Sequence, residues 1–166
     1  MRATWILRGL AAAALLAVAA VHLYEYYVDH YSAIPTIGVL FVLNAVSATV
    51  LGLALLVPVG RLRPQRLRPV ALPAIAVGGI GVAGTSLVAL FVSESTPLFG
   101  FMESGYRLVV VLAIVTETAS ILALGALLLA IRSTRPPGAV ASLGCSTTSA
   151  SRSQTSELPS GSTAPF

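Results

Sequence analysis

The stretch Gly60-Arg-Leu-Arg-Pro-Gln-Arg-Leu-Arg-Pro69 decides how this chain is organised. It carries Arg61, Arg63, Arg66 and Arg68, four of the ten basic residues, in a chain that has no lysine. Long apolar runs flank it on both sides, and it is too short and too proline-broken to be a domain. It therefore separates two hydrophobic hairpins and marks the side of a membrane on which their connection lies.

Composition places the whole chain in the membrane class. Of its 166 residues 56% are hydrophobic and 10% charged, and its mean hydropathy is +0.90, whereas soluble domains carry about 25% charged residues. The pI near 9.8 comes from short arginine segments beside apolar runs, the pattern that orients membrane helices. A nucleic-acid module would need a soluble core and basic residues interleaved with aromatics, and neither is present. The single cysteine, Cys145, rules out an intramolecular disulfide and a cysteine-based metal cluster. Its Ser-Leu-Gly-Cys context imitates a lipobox, but in a C-terminal tail rather than at the end of an N-terminal signal.

Four segments reach the length of about 20 apolar residues that a bilayer requires: residues 5–23, 37–59, 70–92 and 108–131. Arg2 and Arg8 open the first, the central cluster follows the second, and Arg132 and Arg135 follow the fourth. The other two connections hold Glu25, Asp29, Glu94 and Glu103, with Arg107 as their one basic residue. The positive-inside rule then puts both termini and the central loop in the cytoplasm. A rival reading takes Arg2 and Arg8 as the n-region of a secretory signal, with Ala17-Val-Ala19 as its cleavage site. The apolar helical pattern running on to Leu23 and Val28 favours an uncleaved span. Pro35, Pro58 and Pro73 fall at span ends, where proline suits helix starts and stops.

Residues 133–166 form a second region, in which 14 of 34 residues are Ser or Thr, interrupted by four prolines. Such a segment buries too little to offset its ordering entropy and is expected to be a disordered cytoplasmic tail. Residues 1–132 are the four-span domain. Its third span is small-sided: Gly78, Gly79, Gly81, Ala83 and Gly84 provide small-xxx-small spacings that let helix backbones approach closely in lipid. The same run spells a dinucleotide fingerprint from Gly79 to Gly84, which requires a strand before it and a soluble βαβ unit around it. Close helix packing is the reading kept.

Polar residues inside such a chain carry the information about its chemistry. Glu117 falls near the middle of the fourth span, where an ionisable group is expensive and faces a bundle interior or a water-filled cavity. Asn44, at a comparable depth on the second span, is its natural partner, with Ser47, Thr116 and Ser120 nearby. The pair reads either as an interhelical clasp or as a proton-accepting site. At the outer end, His22, Glu25 and Asp29 share one helical face. That set could ligate a divalent metal, or simply be solvated beside an aromatic belt of Tyr24, Tyr26, Tyr27 and Tyr31. Glu103 can pair with Arg107 four residues on. No nucleophilic arrangement and no bis-histidine haem can be built from His22 and His30, so neither enzyme activity nor a cofactor or bound metal is expected.

The text His22-Leu-Tyr24 … Tyr31-Ser-Ala-Ile-Pro35-Thr-Ile-Gly38-Val-Leu-Phe41-Val-Leu-Asn44-Ala45, with Leu98-Phe-Gly-Phe101-Met-Glu103-Ser-Gly105 and Glu117, resembles uncharacterised small four-helix integral membrane proteins of high-GC Gram-positive bacteria. The resemblance spans the four helices and their outer loops. It implies a plasma-membrane protein and one recurring polar set of His22, Asn44, Glu103 and Glu117, and no activity. The expectation is thus an all-α four-helix transmembrane bundle. It is read as a non-enzymatic accessory or complex-forming subunit whose partners are the bilayer and a membrane protein or a second copy. The alternatives are a small transporter or proton conduit centred on Glu117 and, more distantly, a metal- or quinone-linked redox subunit.

Overall fold

The computed structural model describes residues 2–58, 68–97 and 107–133, and all of the regular structure among them is helical. Four helices make one compact unit: α1 (Arg2–Val28), α2 (Pro35–Leu56), α3 (Arg68–Ser95) and α4 (Leu108–Ser133). Each is long and apolar enough to cross a bilayer. The central arginines Arg61, Arg63 and Arg66, Glu103, and the tail from residue 134 with Cys145 lie outside the described residues. Arg68 begins α3.

Helix ends follow the proline and glycine chemistry of the chain with one departure from expectation. Pro35 occupies the first turn of α2, where its missing N–H is no loss, and Pro58 lies just past that helix. Pro73, however, lies inside α3 rather than at its start, because the helix begins further back with Pro69 in its first turn. Helix α1 runs without a break to Val28, as far as the apolar helical pattern reaches, and carries His22 and Glu25 in regular helix.

The α1–α2 link turns sharply. His30 adopts a left-handed conformation with φ 63° and ψ 23°, a region that histidine tolerates better than most residues. A short 3-10 turn, Tyr31–Ala33, then folds back onto the start of α2. Gly38 permits that contact, since a Cβ there would stand 3.0 Å from the Tyr31 carbonyl oxygen.

Helix α1 is the centre of the bundle. Ala11, Ala12, Leu15, Val18 and Ala19 supply half of a ten-residue buried cluster, completed by Ala48 and Leu55 of α2, Ala76 of α3, and Leu124 and Leu127 of α4. Small residues on α1 let α2 and α4 close around it, as expected where packing rather than hydrophobicity drives association in lipid. Helix α3 packs through Gly79, where a Cβ would meet Leu124 Cδ1 at 2.7 Å and Leu15 Cδ1 at 3.3 Å. Ala76 and Ala83 are fully buried on the same helix. Gly81 and Gly84 are different: a Cβ on either meets nothing within 4 Å. Of the five small residues read as packing positions, Gly79 is in tight contact and Ala83 is fully buried, Gly78 lies loosely against Leu51, and Gly81 and Gly84 face open space.

At the end opposite the α1–α2 turn, Arg8 is buried and ties two helices together. Its Nε donates to the Leu55 carbonyl at 2.9 Å and its Nη2 to the carbonyls of Leu55 and Val57, the latter at 2.7 Å. These are among the carbonyls that a helix C-terminus leaves unpaired, and a cation there also suits the helix dipole. The guanidinium sits 4.4 Å from the Trp5 ring centroid. Arg8 is therefore a helix cap as well as a positive charge near a terminus.

Candidate functional site

All four helices contribute to one buried polar cluster. His22 comes from α1, Asn44 from α2, Ser86 from α3 and Glu117 from α4. His22 is its hub. The Nδ1 lies 2.9 Å from the Val18 carbonyl one turn back. A carbonyl only accepts, so this nitrogen carries a proton. In the neutral ring Nε2 is then an acceptor, and it receives Asn44 Nδ2 at 2.9 Å and Ser86 Oγ at 3.1 Å. Glu117 Oε1 stands 3.5 Å from the same nitrogen, and Ser86 faces this carboxyl group as well. Glu117 is 1% and His22 4% exposed, so both are shielded by protein rather than by lipid.

The tautomer also fixes the amide of Asn44. With Nε2 accepting, Asn44 must present its NH2, which leaves Oδ1 pointing elsewhere. Three acceptor atoms in the cluster, Asn44 Oδ1 and both Glu117 oxygens, are closed to water and make no hydrogen bond of good geometry. Nε2 has one lone pair, and Ser86 has one hydroxyl proton to share between His22 and Glu117, so the buried acceptors outnumber the donors turned toward them.

The cluster forms the floor of a cleft of about 810 Å3 between α2 and α3. Its walls are apolar, from Ile37, Leu40 and Phe41 on α2 to Val82, Val88 and Ala89 on α3. Leu40 and Val88 are also exposed on the outer flank of the bundle, so the cleft opens sideways. A second polar level lies nearer the α1–α2 turn, where buried Glu25 and Ser93 line the cleft. Above it an aromatic column runs from His22 to Phe41, with centroids 5.3 Å apart, and on to Tyr31, stacked on Phe41 at 4.8 Å. Arg107 ties this column to the turn. It donates to Tyr31 Oη at 2.7 Å and meets Asp29 Oδ2 at 3.4 Å.

Toward Arg8 the cleft continues past the cluster along Ser47, Gly81 and Gly78. In that half Thr49 and Ser120 donate to carbonyls of their own helices, and Leu15, Leu55, Leu124 and Leu127 are fully buried around α1.

The residues expected to matter are thus partly regrouped. Asn44 and Glu117 do converge, but through His22 rather than by a direct bond. His22 belongs to this deep cluster and not to an outer-face set with Asp29. Asp29, just past the end of α1, is engaged by Arg107, and Glu25 occupies the level between them. Among the described residues no three His, Cys, Asp or Glu side chains converge as metal ligands, so His22, Glu25 and Asp29 do not form a ligand set. Glu103 lies outside the described residues. Tyr31 is buried at 5% exposure rather than part of an aromatic belt, while Tyr24 and Tyr27 are exposed as expected. Thr116 donates to carbonyls of its own helix. Ser86 was not legible beforehand: serine in an apolar helix more often bonds its own backbone, and only the meeting of four helices gives it a partner. Comparison with protein-family models, with curated proteins and with solved structures finds no match, so the reading of this site rests on its geometry alone.

Proposed function

We propose that this chain is a multi-pass plasma-membrane protein with both termini and the residue 60–69 segment in the cytoplasm. In this reading it is a non-enzymatic subunit that holds a lipid-phase molecule in the cleft between α2 and α3. The observation that carries the reading is the cleft itself: an apolar slot, open to the side, with four converging polar side chains on its inner wall. Pockets of about 300–1,000 Å3 with apolar walls and a few placed polar groups are the usual form of a small-molecule site. The arginine distribution supports the orientation. Retention of α1 is supported by its share of the core, since cleavage after Ala19 would remove five of the ten core residues.

The 3.5 Å approach of His22 to Glu117 favours a second reading, a proton-exchanging site in a small transporter. Two adjacent ionisable groups at depth suit that role. The fully buried leucines below them, Leu15, Leu55, Leu124 and Leu127, argue against a continuous path through the bundle core.

Purification from native membranes in mild detergent, with mass spectrometry of everything that accompanies the protein, separates the two. A stoichiometric lipid-phase molecule, lost when Gly81→Leu fills the cleft, is the expected result. A protein that comes alone and conducts protons in liposomes, with flux abolished by Glu117→Gln, would overturn the binding reading in favour of transport.

A further inference from the structure

The hydrogen-bonding balance of the floor specifies the head of the molecule, an inference that rests on the cleft being a binding site. We propose that the cleft takes a membrane-dissolved alcohol or phenol, its apolar body between α2 and α3 and its hydroxyl donating to Asn44 Oδ1 and the Glu117 carboxyl group. Three observations carry this.

The first is the sign of the free valences. Nδ1–H of His22 is held by Val18, and Asn44 Nδ2 and Ser86 Oγ both point at His22 Nε2. The cluster atoms that make no hydrogen bond of good geometry are all acceptor oxygens, on Asn44 and Glu117, and the one hydroxyl facing Glu117, that of Ser86, is shared with His22. A proton on Glu117 satisfies one of these atoms and leaves the rest. A group that only accepts, such as an ether, therefore finds few partners here, and a group that donates finds several. The second is accessibility. Asn44 is half-buried and lines the cleft together with Glu117, so both acceptor side chains border the space that a head group would occupy. The third is the nature of the walls. A partner helix would satisfy its own backbone internally and offer apolar side chains to the floor, leaving the surplus acceptors as they are. A metal cation would need more ligands than the single carboxyl group at the floor provides.

The test uses 4-nonylphenol and its methyl ether, 4-nonylanisole, which share an apolar body and differ in the donor. Saturable binding of each is measured to the full chain in lipid nanodiscs against empty nanodiscs, for wild type, Asn44→Leu and Gly81→Leu. Gly81 lines the cleft and its Cβ position is open, and leucine is the better helix former, so Gly81→Leu blocks the cleft without disturbing the fold. The expected result is a phenol bound about tenfold more tightly than the ether, consistent with one or two hydrogen bonds made in a dry site. Asn44→Leu should cut that preference to about threefold or less, and Gly81→Leu should abolish binding of both compounds. Equal affinities for the two, both lost in Gly81→Leu, would overturn the hydroxyl assignment and leave the binding site standing. Saturable binding of neither, or binding indifferent to Gly81→Leu, would overturn the site and the assignment together.

Discussion

His22 and Glu117, on the first and last helices, meet at 3.5 Å between Nε2 and Oε1, and both are almost fully buried at the inner wall of the cleft. Because Val18 holds the opposite ring nitrogen, everything the imidazole offers to α2, α3 and α4 passes through one atom. That makes the cluster a single cooperative unit rather than a set of independent bonds. A double-mutant cycle with His22→Leu and Glu117→Leu, read by unfolding in mixed micelles, should give a coupling of about 0.5–2 kcal/mol. Additive effects would mean that the two side chains are neighbours without being partners.

The same arrangement sets the tautomer. In its neutral form His22 carries its proton on Nδ1, and nitrogen chemical shifts of 15N-histidine-labelled protein, assigned by loss in His22→Gln, should report this. A dominant Nε2–H form would remove the argument that orients Asn44 and leaves its oxygen free.

Arg8 permits a separation of charge from geometry. Arg8→Lys keeps the positive charge that topology counts but loses the planar fork that reaches Leu55 and Val57 together. It should leave orientation unchanged and cost about 1–3 kcal/mol, the usual penalty for unsatisfied buried acceptors. Wild-type stability in Arg8→Lys would reduce Arg8 to a topological signal.

Two glycines on one helix should respond in opposite ways. Gly79→Leu forces a side chain into Leu124 and Leu15 and should destabilise by about 1–3 kcal/mol or prevent assembly. Gly84→Leu enters open space and should stay within about 0.5 kcal/mol of wild type. Equal tolerance at both positions would contradict the packing of α3 against α1 and α4. If Gly84→Leu leaves stability intact but dissociates a copurifying membrane protein, the exposed face of α3 is where that protein sits.

The orientation is open to direct labelling. Cys145 is the single cysteine, so in the proposed topology a membrane-impermeant maleimide should label it only after permeabilisation. In a Cys145→Ser background, Ser32→Cys on the exposed turn should label in intact cells. The reverse pattern would invert the topology.

What could be read beforehand divides along physical lines. The number of helices and their approximate spans follow from apolar length alone, since a bilayer fixes how long a crossing must be. The depth of Glu117 and Asn44 was legible from residue counting, and their convergence follows from depth. The place of His22 was legible only in part: the helical pattern reaches Val28 and the resemblance groups His22 with Asn44 and Glu117, but its face on α1 set it with Glu25 and Asp29 at the outer end. It sits only six residues from the end of α1, and nothing local says that the turn at His30 folds back over it. Nor does a one-dimensional pattern distinguish Gly79, which is crowded by Leu124, from Gly84, which is not. The two differ by five residues and so by more than 100° around the helix, and which side meets a neighbour is decided by helices far away in the chain.

The clasp at Arg8 joins distant parts of the chain, since its acceptors on Leu55 and Val57 lie 47 and 49 residues away. The α1–α2 hairpin is thus fastened at one end by Arg8 and at the other by the Tyr31 turn. Against this hairpin, Gly79 of α3 and Leu124 of α4 seat beside Leu15, whereas a Cβ at Gly78 would meet Leu51 of α2 only at 3.6 Å. The opening that holds the polar floor runs along that looser seam, the one side of the hairpin that neither fastening reaches.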